Sequence, residues 1–228
     1  MSNTKLAVFD LEIVKTVTGV DDWFTVAPLG ISCVAVALSD SPDAIVWYGD
    51  NELGVEGSRA VVAGLMQLVS DGYTIAGFNS LGFDFRVLAI ESGMVAECKA
   101  LAVNHIDLFF HLFCLLGYAP GLDKLAEGMG TTRKTKGVDG AKAPEMWREG
   151  QRQAVIDYCV RDVRATLELM RAIEERKRAQ WTSKAGNPLM AYFDELLTVT
   201  RAAGLPLPDV SWMPTNPWQR SKFTGWLD

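Results

Sequence analysis

The feature that most limits the fold is the order in which strand-like and helix-like periods succeed one another. Residues 5 to 13, KLAVFDLEI, alternate and are rich in β-formers, and LGISCVAVAL and AIVWYG follow after turn-forming stretches containing Gly, Pro and Asp. This predicts a three-strand antiparallel meander. A helical period over about 55–70 leads to the strand YTIAGFN, then a helix over about 83–91, a short strand near 103–107 and a helix through FFHLFCLL that stops at Gly117. Residues 117–150 read as loop, with a short helix at LDKLAEGM and a Gly/Lys/Thr run, TTRKTKGVDGAKAP, expected to be mobile. A long amphipathic helix over about 149–177 follows, because Val155, Ile156, Cys159, Val160, Val163, Leu167, Met170 and Ile173 recur at helical spacing. The order βββαβαβα describes an α/β protein with a mixed sheet flanked by helices.

With 228 residues, 49% of them hydrophobic, the chain can bury one generous core. No uncharged apolar run approaches the ~20 residues of a membrane helix, and acids interrupt the start MSNTKLAVFDLE before a signal segment can form. A soluble, cytoplasmic protein without a membrane partner is expected. Cys33, Cys98, Cys114 and Cys159 lie far apart, which suggests buried free thiols rather than disulfides or a zinc site. His105 and His111 match no metal spacing and read as structural. Beyond residue 177 the composition shifts to Pro, Trp and Gly. Trp181, Trp212, Trp218 and Trp226 are there either aromatic platforms for bases or, as the commoner reason for such residues, buried aromatics pinning an extension onto the domain, and packing is the favoured reading.

The net charge of −6 argues at first against a polyanionic partner. Its distribution is uneven: residues 131–178 hold 12 Lys/Arg against 8 Asp/Glu, and the rest of the chain 10 against 20. That segment is either a solvated helix face or a basic patch.

Three acidic motifs stand out. Alternation puts Asp10 and Glu12 on one face of the first strand together with Leu6 and Val8, where two adjacent carboxylates repel unless a cation sits between them. In NSLGFDFRVL, Asp84 falls in a first helical turn, as an ordinary cap would, but among Phe78, Leu81, Phe83 and Phe85. In YCVRD, Tyr158 and Asp162 are one turn apart on one helix face. Each motif alone has a structural reading: a loop start, a cap, or a packed Tyr beside a surface ion pair.

Taken in order, FDLE, NSLGFD and YCVRD resemble the DEDD superfamily of 3′→5′ exonucleases, which have a ribonuclease H-like fold. The Tyr four residues before the last Asp resembles the tyrosine subgroup. The stretch APEMWREGQRQAVIDYCVRDVRATLEL is similar to stand-alone relatives of the family B DNA polymerase proofreading domain. The likeness covers roughly residues 5–176 and implies an exonuclease domain over 1–178, with 179–228 as a packed extension. It implies two Mg²⁺ or Mn²⁺ ions among the acids. Asp10 would bridge both ions, Glu12 and Asp162 would hold the one that activates water, Asp84 would support the second, and Tyr158 would orient the water. Asn79 and Phe83 match positions near the terminal nucleotide, while Arg133, Lys134, Lys136, Arg148 and Arg152 would contact the backbone, with the 131–140 loop as a flap. Asp107 is a further acid near the cleft, with helix capping as its competing role. The implied partner is a single-stranded 3′ end, DNA favoured, with replication or repair proteins beyond it. An RNA-trimming exonuclease, a ribonuclease H-like endonuclease and a catalytically silent nucleic-acid-binding module remain the alternatives.

Overall fold

The computed structural model describes residues 4–20, 22–132, 140–213 and 218–228. The meander comprises β1 (Leu6–Ile13), β2 (Ile31–Leu38) and β3 (Ala44–Tyr48), followed by α1 (Gly54–Ser70), β4 (Thr74–Gly77), α2 (Asp84–Ser92), α3 (Val95–Asn104), β5 (Ile106–Asp107) and α4 (Leu108–Leu116). Then come α5 (Leu122–Met129), α6 (Ala143–Arg148), α7 (Arg152–Arg176), a hairpin of β6 (Arg178–Thr182) and β7 (Pro188–Tyr192), α8 (Val199–Ala203) and α9 (Ser221–Thr224). The five-stranded sheet has the order β3-β2-β1-β4-β5. Its first three strands are antiparallel, and β4 and β5 run parallel to β1.

Alternation along β1 assigns its two faces. Leu6 and Val8 join Cys33, Ala35 and the apolar side of α7 in one core, whereas Ala7, Phe9, Leu11 and Ile13 join Val61, Leu65 and Phe85 from α1 and α2 in the other. A strand buried on both sides accounts for the near-absence of surface in β1 and β2. Asp10 and Glu12 share the face of Leu6 and Val8 and therefore point toward α7. Opposite them on β2 stand Ala35 and Cys33, small enough to leave room for two carboxylates.

Several expectations change. The long helix starts at Arg152 rather than near 149, because Gly150 takes a left-handed conformation (φ 81°) and ends the separate helix α6. Residues 95–104 form α3, an element the periodicity did not reveal, and β5 shrinks to two residues. The extension beyond 177 is not irregular: β6 packs along α5 so closely that a Cβ on Gly128 would stand 2.2 Å from the carbonyl oxygen of Gln180. Trp181 is buried there and Trp226 is half-buried, but Trp212 and Trp218 are 63% and 56% exposed and do not pin the extension. All four cysteines are buried and free. The mobile stretch expected around 131–140 falls mostly outside the described residues, and among the described residues no helix is long and apolar enough to cross a membrane.

Both histidines serve packing. In His105, the ring Nδ1 lies 2.6 Å from the Ala102 carbonyl oxygen and Nε2 lies 2.9 Å from Ser80 Oγ, and in His111 Nδ1 accepts from the Leu197 N–H at 3.2 Å. Burial pushes each imidazole down to about 4. Their folded pKa values lie below the unfolded value, so their contribution to stability is complete at neutral pH and is lost as pH falls from about 6.5 toward 4. Proton NMR on the chain's only two histidines should show both rings neutral at pH 5; an imidazolium signal already at pH 6 would contradict this packing.

Candidate active site

Beyond Val8, β1 outruns its parallel neighbour: β4 pairs only with Leu6–Val8. The crevice beyond the carboxyl ends of parallel strands is where open α/β sheets bind ligands. Leu11 presents its N–H to that gap, and Asp84 fills the missing partner's place, with Oδ1 accepting from Leu11 N at 3.1 Å. The hydrogen bond brings the first residue of α2 alongside Asp10. Burial raises the Asp84 carboxyl well above its ordinary pKa, the nearby charge of Asp10 raises it further, and the Leu11 N–H pulls the other way.

Asp84 is delivered by a tight turn. Gly77 ends β4 where a Cβ would meet Ser80 Oγ at 2.4 Å, and Asn79 takes a left-handed conformation (φ 66°). Asp107, at the end of β5, organises this turn. It accepts from Asn79 N at 2.9 Å, Leu81 N at 2.8 Å and, as the cap of α4, Phe110 N at 3.1 Å. Burial pushes its carboxyl up to about 6 against the pull of these donors. Capping, the competing role for Asp107 in the sequence, is thus only part of what it does.

From the other layer, α7 contributes Tyr158 and Asp162, both buried, and its Cys159 Sγ lies 3.4 Å from the Asp10 carbonyl oxygen. Gly140 marks where two elements meet: a Cβ there would lie 3.9 Å from Glu12 Oε2 and 4.0 Å from Tyr158 Oη. Asp10, Glu12, Asp84, Tyr158, Asn79 and Phe83 all line one cleft of about 590 Å³. Asp162 is buried one turn beyond Tyr158 and is not part of the cleft lining.

The remaining residues singled out in the sequence divide. Arg133, Lys134 and Lys136 lie outside the described residues. Arg148 and Arg152 do not line the cleft; Arg148 Nη2 bonds Thr16 Oγ1 at 3.2 Å, and the Arg152 guanidinium lies 6.0 Å from the Trp147 ring. Other residues line the cleft instead. Trp23 meets Phe83 edge-on at 5.4 Å and Arg86 stacks 3.7 Å above Phe24. Trp218, Lys222 and Phe223 of the lining come from the extension. Of these other residues only Trp218 is singled out in the sequence, as one of the extension's tryptophans; Trp23, Phe24, Arg86, Lys222 and Phe223 belong to no motif there.

The donor set is oxygen only, and it includes acids that repel one another in a buried site. That chemistry fits a hard divalent cation. Among the described residues, no three Asp, Glu, His or Cys side chains are gathered as tightly as a bound ion would hold them.

A mixed sheet of this order, with acids at the end of its central strand, defines a ribonuclease H-like fold. The chain belongs to the RNase H superfamily: the RNase_H_2 model matches residues 31–174, from β2 almost to the end of α7. No curated protein matches it. Among solved structures it is similar to the family B DNA polymerase from the hyperthermophilic archaeon Pyrobaculum calidifontis, at 22% identity and a TM-score of 0.57, over 75% of this chain and 24% of the polymerase. It also matches a product-bound exonuclease I, at 14% identity and a TM-score of 0.34, over 75% of this chain and 43% of that one. The chain thus spans less than half the length of either.

Asp107→Asn would keep one acceptor but set an amide N–H₂ against a buried backbone N–H. Urea unfolding should show a loss of about 1–3 kcal/mol, the cost of an unsatisfied buried donor. Unchanged stability would contradict the role given to Asp107.

Proposed function

We propose that this protein is a two-metal-dependent 3′→5′ exonuclease that hydrolyses phosphodiester bonds at the 3′ end of single-stranded nucleic acid, with residues 1–178 as its catalytic domain. The observation that carries the reading is the convergence of Asp10, Glu12, Asp84 and Tyr158, from three separate segments, in one cleft walled by aromatic side chains. DNA is favoured as substrate, the solved structure of similar fold being a DNA polymerase.

Asp10, Glu12, Asp84 and Asp162 would hold two Mg²⁺ or Mn²⁺ ions, which when bound polarise the phosphate and make water a better nucleophile near neutral pH. Asp10 would be a ligand to both ions, and Glu12 from β1 and Asp162 from α7 would hold the one that activates water, Asp162 turning in from its buried position one turn beyond Tyr158. Asp84, fixed by Leu11, would support the second ion. Tyr158 Oη, which like Glu12 Oε2 lies about 4 Å from the space a Cβ on Gly140 would take, would orient the attacking water. Asn79 and Phe83 border the space for the terminal nucleotide, and Phe83 offers a ring edge braced by Trp23. Arg86 and Lys222, which line the same cleft, are the described cations available to the phosphates.

A narrow cleft with aromatic walls favours an end over an interior site, because terminal bases can be splayed apart and a duplex interior cannot. The purified protein with Mn²⁺ should shorten a 5′-labelled single strand to a ladder of successive products. Asp84→Asn should slow this at least ~100-fold, beyond the cost of losing an outer partner of a metal site. Full activity in Asp84→Asn would remove the assignment, and internal products from the native protein would replace it with an endonuclease.

A further inference from the structure

We propose that the segment following α7 builds a track for the unpaired strand that leads away from the acidic cleft. This rests on the nuclease reading above and goes beyond it, since the family match ends at residue 174 and Trp181, Lys184, Trp212, Trp218 and Lys222 all lie C-terminal to that point. The first station is in the cleft itself. Trp218 is 56% exposed, and Lys222 Nζ lies 3.3 Å from its ring centroid, so an aromatic face and a cation are held together facing the acids.

The second station is an adjoining groove of about 760 Å³, and Phe78 lines both it and the cleft. Tyr118, Trp181 and Trp212 line this groove, with Lys124, Lys184 and the carboxylate of Asp123 among them. Trp212 is 63% exposed yet fixed in place: its Nε1–H donates to the Asp209 carbonyl oxygen at 3.1 Å, and its ring meets Tyr118 edge-on at 5.9 Å. Tyr118 in turn packs on Trp181 at 6.3 Å. A large aromatic ring that is held still but left in water is a ready platform for another flat ring.

Continuity with the cleft, aromatic faces and two lysines together select an unpaired nucleic-acid strand as the occupant. A duplex keeps its base faces stacked and has none to offer Trp212. Stacking also supplies attraction that a chain of net charge −6 does not gain from long-range electrostatics. The phosphates between stacked bases fall to Lys184, Lys124 and Lys222.

Fluorescence anisotropy with 5′-labelled oligothymidylates of increasing length, in Ca²⁺ to hold the strand without hydrolysis, tests this on the full chain. The native protein should bind long oligomers more tightly than dinucleotides. Trp212→Ala and Lys184→Glu, both at exposed positions, should each weaken long-oligomer binding at least fivefold and leave dinucleotide binding alone, while Trp218→Ala should weaken both. Circular dichroism verifies that each variant is folded. An oligomer carrying 5-iododeoxyuridine at an interior position should photocrosslink to the peptide containing Trp212 or Tyr118. Native affinity at every length in these folded variants, or equal competition by duplex DNA, would overturn the track while leaving the nuclease reading in place. Failure of the native protein to bind any oligomer would overturn both.

Discussion

A hydrogen bond from the Leu11 N–H to Asp84 Oδ1 joins the two halves of the acidic site, and most of the surrounding structure serves to make it possible. The bond exists because β4 stops short and leaves Leu11 without a strand partner on that side. It sets a buried carboxyl beside Asp10, an arrangement that burial and like charge both oppose. The opposition is offset elsewhere, by the two apolar cores that clamp β1 between α7 on one face and α1 and α2 on the other. Asp107 adds its bonds to Asn79 and Leu81, which hold the turn so that Asp84 cannot swing out to water. The electrostatic cost is therefore local and the support is distributed.

The helices pass this geometry on to Tyr158 and Asp162. Cys159 contacts the Asp10 backbone, so Tyr158, one residue earlier in α7, is registered against β1 by core packing. The extension adds Trp218, Lys222 and Phe223 to the lining of the cleft. Four regions far apart in the chain thus meet at one end of one strand.

Much of this arrangement is legible in the amino-acid sequence. The common face of Asp10 and Glu12 comes from strand alternation alone, and the shared face of Tyr158 and Asp162 from the helical repeat. The meander and the long helix are legible because their hydrophobic periods are long. The rest lacks local signal. Helix α3, VAECKALAVN, is short and buries only Cys98, Leu101 and Ala102, too few residues to declare a period. Strand β6 comes directly after α7 with a single left-handed residue, Lys177, between them, at a position where glycine is the usual signal. Its partner β7 pairs through a register that only the folded chain sets. Charge is the least dependable guide: Arg148 and Arg152 are drawn to the site by their sign, whereas Arg86 and Lys222, isolated in sequence, line it.

The central claim is that the acids gathered beside β1 form a binding site for divalent cations, and isothermal titration calorimetry of the nucleic-acid-free protein with Mn²⁺ tests it most directly. Saturable binding that raises the unfolding temperature, and that is lost in Asp10→Asn, is the predicted result. A folded native protein that takes up no Mn²⁺, or an Asp10→Asn variant that binds it as well as the native chain, would contradict the account.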